Sequence, residues 1–87
     1  MTDANNQIVL GIVARALGCA PELLSMDSAM YRHHGWDSFG HIAIISALEA
    51  AYRITIPNDF ISTLVTMRSI VEFVDNLPVD HRSNDRS

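Results

Sequence analysis

The chain has 87 residues, a net charge of −4 at pH 7 and a hydrophobic share of 48%, which suits one small domain with a single core. Its six basic residues are all arginine and are scattered along the chain, so no basic patch favours nucleic acid as a partner. A single cysteine excludes an internal disulfide. The sequence shows no signal peptide and no apolar run long enough to span a membrane, so we expect a cytoplasmic monomer without a membrane partner.

The first half of the chain predicts one long helix followed by a long loop. Apolar residues recur at the spacing of one buried helix face between residues 4 and 17, and they are Ile8, Val9, Ile12, Val13, Ala16 and Leu17. Gly18 follows, and glycine favours the left-handed conformation in which helices commonly end. Residues 19–36 form a long connection in which Pro21 favours a short turn of helix. Its apolar side chains indicate that it packs onto the core, and these are Leu23, Leu24 and Met30.

A second long helix is predicted from Ser38 to about Tyr52. Its core stripe consists of residues spaced three or four apart, which are Ile42, Ile45, Leu48 and Tyr52. Pro57 restricts the preceding residue to extended backbone, so this element ends before it.

The last part of the chain predicts a short helix and a longer one. Asn58 or Asp59 caps the short helix, which holds two apolar residues, Phe60 and Ile61. Thr66 caps the last helix and Pro78 closes it. The buried face of that helix consists of Met67, Ile70, Val71, Val74 and Leu77.

Together these elements predict an all-α fold, a small bundle of three main helices plus one short helix, with a long loop between helices 1 and 2. No stretch alternates apolar and polar residues as a strand does. The domain is expected to span residues 1–78, and the polar, charged tail of residues 79–87 is expected to be disordered.

A serine lies at the predicted start of the second helix, in the segment Gly35-Trp36-Asp37-Ser38-Phe39. Aspartate and serine cap helices because their side-chain oxygens accept hydrogen bonds from the first N–H groups. The capping preference alone is enough to explain an Asp-Ser pair before a helix. The wider pattern is more specific, because the same helix is followed by Ile54-Thr55-Ile56-Pro57.

With this motif, helix spacing and exit segment, the chain resembles the acyl and peptidyl carrier protein family over residues 5–77. In that family a G-x-D-S-L motif opens the second helix, and a hydrophobic-x-hydrophobic-Pro segment follows it. The resemblance implies that Ser38 carries a 4'-phosphopantetheine arm, attached from coenzyme A by a separate phosphopantetheinyl transferase. It also implies that Asp37 supports the reaction by helping to position metal-bound coenzyme A, besides capping the helix. The protein is then a carrier and not an enzyme, and the arm presents acyl or aminoacyl groups as thioesters.

The resemblance further implies three kinds of partner: the transferase, an enzyme that loads the acyl or aminoacyl group, and downstream synthase or transferase enzymes. The residues expected to contact them are Trp36, Phe39, His41, Ile42 and Ile61. Trp36 is alternatively a core anchor, and Phe39 replaces the leucine that usually follows the serine. Glu49 is the only charged side chain between Ser38 and Tyr52, whereas carriers of fatty-acid synthesis typically have an acidic second helix. We therefore expect weak electrostatic steering and a specialised polyketide or nonribosomal-peptide type of pathway.

Other interpretations of these residues stay open at this point. A free-standing carrier of a specialised pathway is expected, with a fatty-acid-type carrier as the alternative. A helical interaction module, in which Asp37 and Ser38 only cap a helix, predicts no covalent modification. A hydrolase with Ser38 as nucleophile and His41 as base also needs an orienting acid, an oxyanion hole and a substrate cleft, for which so small a chain has little room. No metal is expected, because the spacing of the candidate ligands matches none of the usual metal-binding patterns; these candidates are His33, His34, Asp37 and His41.

Overall fold

The computed structural model describes residues 2–33 and 35–77, with side chains described from residue 6 onward. The elements in this part of the chain are helical: α1 (Thr2–Leu17), a 3-10 helix (Pro21–Leu23), α2 (Ser38–Tyr52), α3 (Asn58–Ile61) and α4 (Met67–Asp75). Three longer helices and one short helix therefore confirm the predicted all-α bundle. Pro78 and the predicted tail 79–87 lie outside the described residues.

The core lies where α1 packs against both α2 and α4. Its fully buried side chains come from all three helices and from the loop before α2, and they are Val9, Val13, Trp36, Ile44, Leu48, Met67, Ile70 and Val74. Burying a side chain of this size stabilises a fold by about 1.5–3 kcal/mol before the entropy of ordering is counted. Most of the bundle's stability therefore depends on this one contact region.

The buried face of α1 is narrower than predicted. Val9 and Val13 are fully buried, but Ile8 is 51% exposed, so its assignment to the core was wrong. Ile8 instead lines an open groove between α1 and α2, opposite Ala43 and Ala47. These alanine side chains are too short to cover it.

The predicted core stripe of α2 is confirmed at Ile45, Leu48 and Tyr52 but was wrong at Ile42. The helix buries His41, Ile44, Ile45, Leu48 and Tyr52, whereas Ile42 is 58% exposed. A polar residue therefore occupies the first core position of the helix. The pattern of apolar residues gave no indication of this, because it begins at Ile42.

The long connection before α2 is attached to the start of α4 by main-chain hydrogen bonds. The Met30 N–H donates to the Val65 carbonyl at 2.8 Å, and the Met67 N–H donates to the Ser28 carbonyl at 2.9 Å. Leu24 is buried as predicted, but Leu23 is 65% exposed. The connection therefore packs onto the bundle through its backbone as much as through its apolar side chains.

The predicted helix ends are mostly confirmed. Gly18 adopts a φ of 72° after α1, and the Thr66 side chain accepts a hydrogen bond from the Ser69 N–H at the start of α4. The capping residue of α3 is Pro57, which provides no side-chain hydrogen bond, so the cap predicted at Asn58 or Asp59 was wrong.

In the described part of the chain, no helix combines the length and the apolar character needed to cross a membrane.

Candidate functional site

Ser38 is the first residue of α2, and its side chain is exposed. Asp37 caps the helix as predicted, because its carboxylate accepts a hydrogen bond from the Gly40 N–H at 2.9 Å. The His41 N–H donates to the Asp37 carbonyl at 2.8 Å, which closes the first helical turn. The Ser38 hydroxyl is thereby held on a well-formed helix end that an approaching enzyme can reach.

Two glycines allow the preceding loop to lie close to α2. Gly35 has a φ of 90°, a conformation that residues with a side chain rarely adopt. A Cβ at Gly40 would overlap the Gly35 carbonyl oxygen and would lie 3.0 Å from Leu17 Cδ2. Gly40 was not identified from the sequence, although a glycine inside a predicted helix is a recognised sign of close packing.

Trp36 and His41 form a buried hydrogen-bonded chain beneath this loop. The Trp36 indole N–H donates to His41 Nδ1 at 3.1 Å, and His41 Nε2 lies 2.8 Å from the Ile61 carbonyl oxygen. An indole nitrogen only donates, so Nδ1 is the accepting nitrogen, and Nε2 carries the proton given to the Ile61 carbonyl. The chain joins the loop, α2 and the end of α3.

This burial corrects two of the contact residues predicted from the sequence. Trp36 is fully buried and His41 is 5% exposed, so neither side chain is available to a partner. His41 lies in the core because both of its ring nitrogens find partners there, which removes the usual cost of burying a polar side chain. Of the two predicted roles of Trp36, the structure shows the core anchor.

Of the remaining predicted contact residues, Phe39 and Ile42 follow Ser38 in α2, and Ile61 is the last residue of α3. Phe39 is 87% exposed and Ile42 is 58% exposed, whereas Ile61 is half-buried against the core. Glu49 lies further along the helix, where one of its carboxylate oxygens accepts a hydrogen bond from the Ile56 N–H at 2.8 Å. The one carboxylate of α2 is thus engaged in holding the segment that follows the helix.

Tyr31 was not identified from the sequence as part of the site. Its hydroxyl lies 2.6 Å from Ser38 Oγ. The contact depends on how the long loop folds back on α2, so no local pattern indicates it. A further unforeseen contact joins Cys19 Sγ to His33 Nε2 at 3.7 Å.

Comparison with known proteins agrees with this geometry. The family model described as "Phosphopantetheine attachment site" matches residues 7–74. The chain belongs to the phosphopantetheine-binding carrier family. It is 29% identical to an acyl carrier protein of Campylobacter hominis over 69 residues, which are 79% of this chain and 87% of the relative. It is 28% identical to an acyl carrier protein of Campylobacter fetus, over 79% of this chain and 90% of the relative. An acyl carrier protein of Sulfurovum is 27% identical over 66 residues, 76% of this chain and 88% of the relative.

Membership of the carrier family assigns 4'-phosphopantetheine as the prosthetic group and makes the chain a carrier and not an enzyme. The site is compatible with this group, because Ser38 offers an exposed hydroxyl at the start of a 15-residue helix. The first N–H groups of a helix and its dipole favour an anion such as a phosphodiester. The rim of the site is apolar and exposed at Phe39 and Ile42, so the thin arm has open space in which to leave the surface.

The alternative chemistries are not supported by the carrier's geometry. The two ring nitrogens of His41 contact Trp36 and Ile61, so His41 is not placed as a base for Ser38. Within residues 2–33 and 35–77, no group of three or more histidine, cysteine, aspartate or glutamate side chains is arranged to hold a metal ion. His34, which was part of the metal alternative, lies outside the described residues.

Proposed function

We propose that Ser38 is the attachment residue for 4'-phosphopantetheine and that the chain carries acyl or aminoacyl groups as thioesters on this arm. The observation that carries the proposal is the exposed Ser38 hydroxyl at the start of α2, inside the region matched by the carrier family. The relatives are named acyl carrier proteins, which favours an acyl over an aminoacyl cargo.

The attachment reaction is a phosphoryl-type transfer in which the carrier supplies the nucleophile. Ser38 Oγ forms a bond to the phosphorus next to the pantetheine group of coenzyme A. The bond from that phosphorus to the bridging pyrophosphate oxygen breaks, and adenosine 3',5'-bisphosphate leaves. The hydroxyl proton passes to a base of the transferase. The arm, once attached, supplies a terminal thiol that holds the cargo as a thioester.

The surface around Ser38 supports partners that dock through apolar contacts. Phe39 and Ile42 are exposed, and the single carboxylate of α2, on Glu49, is bonded to the Ile56 N–H. Electrostatic steering by this helix is therefore weak. This supports a dedicated carrier of a specialised polyketide or nonribosomal-peptide type of pathway over a carrier that depends on an acidic second helix.

The test is the intact mass of the protein after incubation with coenzyme A, Mg²⁺ and a broad-specificity phosphopantetheinyl transferase. We expect the wild-type chain to gain one phosphopantetheine and Ser38→Ala to gain none. Ser46→Ala is the matched control, because Ser46 is also an exposed serine of α2, and it should be modified like the wild type. Modification of Ser38→Ala, or no gain on a folded wild-type chain, would contradict the proposal.

The same assay at increasing salt concentration tests whether partners dock through apolar contacts with Phe39 and Ile42. The KM of the transferase for this carrier should change by less than about threefold between 50 and 500 mM salt, because screening acts on charges and not on apolar contacts. A steep increase in KM with salt would favour the fatty-acid type of carrier instead.

A further inference from the structure

The hydroxyl of Ser38 has a neighbour outside the Gly35–Phe39 motif. Tyr31 Oη lies 2.6 Å from Ser38 Oγ, which is the distance of a strong O–H···O hydrogen bond. Both side chains are exposed, Tyr31 to 70%. The pair therefore lies on the surface that a transferase must approach.

The backbone of the loop fixes the position of Tyr31. Its N–H donates to the Trp36 carbonyl at 2.6 Å, and the N–H of the preceding Met30 donates to the Val65 carbonyl at 2.8 Å. Tyr31 has a φ of 67°, a left-handed conformation that bulky residues rarely adopt. Because Trp36 is itself fully buried, the loop delivers the phenol to Ser38 from an anchored position.

The direction of this hydrogen bond becomes fixed when Ser38 is esterified. Before the transfer both oxygens carry a proton, and either one can donate. Afterwards Ser38 Oγ is an ester oxygen without a proton, so Tyr31 is the only donor of the pair. A hydrogen bond from a neutral hydroxyl to the charged phosphodiester is stronger than one to a neutral acceptor.

We propose that Tyr31 is a positioning residue of the attachment site. Its hydroxyl holds the Ser38 side chain in one orientation before the transfer. It then donates to the phosphodiester and fixes the direction in which the arm leaves α2. This inference rests on the proposed attachment at Ser38.

The test compares the wild-type chain with Tyr31→Phe and Tyr52→Phe, each fully loaded by coenzyme A, Mg²⁺ and the transferase. Both variants remove one phenol hydroxyl and keep the ring, and Tyr52 lies at the opposite end of α2. Intact mass first establishes the loading. The ³¹P NMR resonance of the phosphodiester is then measured in the folded state and in concentrated urea, because it responds to the hydrogen bonds and torsion angles of that group.

We expect the resonance of folded Tyr31→Phe to move from the wild-type position toward the position found in urea, while Tyr52→Phe coincides with the wild type. Full loading with coincident resonances for all three proteins would overturn the role of Tyr31 and leave the attachment at Ser38 intact. No mass gain on any of the three folded proteins would overturn the attachment itself, and the role of Tyr31 with it.

Discussion

At the scale of single residues, Asp37 combines a structural task with a proposed chemical one. Its carboxylate caps α2 through the Gly40 N–H, and in the proposed reaction it helps to position metal-bound coenzyme A. The two tasks have different chemical requirements. An asparagine side chain caps a helix about as well as aspartate does, but it has no charge to offer a metal-bound ligand.

Asp37→Asn and Asp37→Ala therefore separate the two tasks. We expect Asp37→Ala to lower the free energy of unfolding by about 0.5–2 kcal/mol, as lost caps do, and Asp37→Asn to leave it nearly unchanged. The rate of loading by the transferase should decrease in both variants by about tenfold, the effect of losing one charge-assisted contact. Urea unfolding and timed mass spectra measure the two quantities. If Asp37→Asn were loaded at the wild-type rate, capping of α2 would be the only role left for Asp37.

At the scale of the helices, the two helical glycines provide a matched pair. A Cβ at Gly11 in α1 would meet nothing within 4 Å, whereas a Cβ at Gly40 in α2 would overlap the Gly35 carbonyl oxygen. The overlapping atom belongs to the main chain of the loop, so it cannot move aside as the end of a flexible side chain can. The same added methyl group should therefore have opposite effects in the two helices.

We expect Gly11→Ala to raise the free energy of unfolding by about 0.5–1 kcal/mol, the usual gain from replacing glycine inside a helix. Gly40→Ala should lower it by about 1–3 kcal/mol, the usual cost of overpacking, and should slow the loading of Ser38 by moving the loop. Thermal or urea unfolding of both variants measures these changes. A Gly40→Ala variant as stable as Gly11→Ala would show that the loop at Gly35 moves away without lowering the free energy of unfolding.

The helices themselves could be predicted from the sequence because their signals are local. The bounds of α2, the Asp37 cap and the Thr66 cap all follow from residues within one or two turns. The buried face of α2 could not be predicted in full, because the burial of His41 depends on hydrogen bonds to Trp36 in the preceding loop and to Ile61 at the end of α3. The contact between Tyr31 and Ser38 escaped prediction for the same reason, since a long loop brings the two together.

At the scale of the whole molecule, the response to alkaline pH depends on Tyr52. This residue is 3% exposed, and burial, with a smaller contribution from the negative charge of Asp75, raises the pKa of its phenol above the ordinary value of 10.0. The folded state therefore keeps the proton to higher pH than the unfolded state does. The contribution of this pKa difference to the free energy of unfolding is complete below about pH 10, the pKa of tyrosine in the unfolded state. It is lost as the pH rises through the higher pKa of the folded state.

We expect the free energy of unfolding to decrease above pH 10 with a slope of up to about 1.4 kcal/mol per pH unit from this one proton. The chain contains no lysine, so few other side chains titrate in this range. Tyr52→Phe should remove the decrease, whereas Tyr31→Phe, at an exposed position, should retain it. Urea unfolding between pH 8 and 11 makes the comparison. An equally steep decrease in Tyr52→Phe would assign it to another group.

The buried chain from Trp36 through His41 to Ile61 also gives the molecule an optical signal of its own. Trp36 is the only tryptophan, it is fully buried, and it precedes Ser38 by two positions in the chain. Its indole N–H is held by an imidazole, and both the emission wavelength and the quenching of an indole depend on such surroundings. The tryptophan fluorescence of this protein thus originates beneath the candidate attachment residue, where loading, docking and unfolding can be followed without a label.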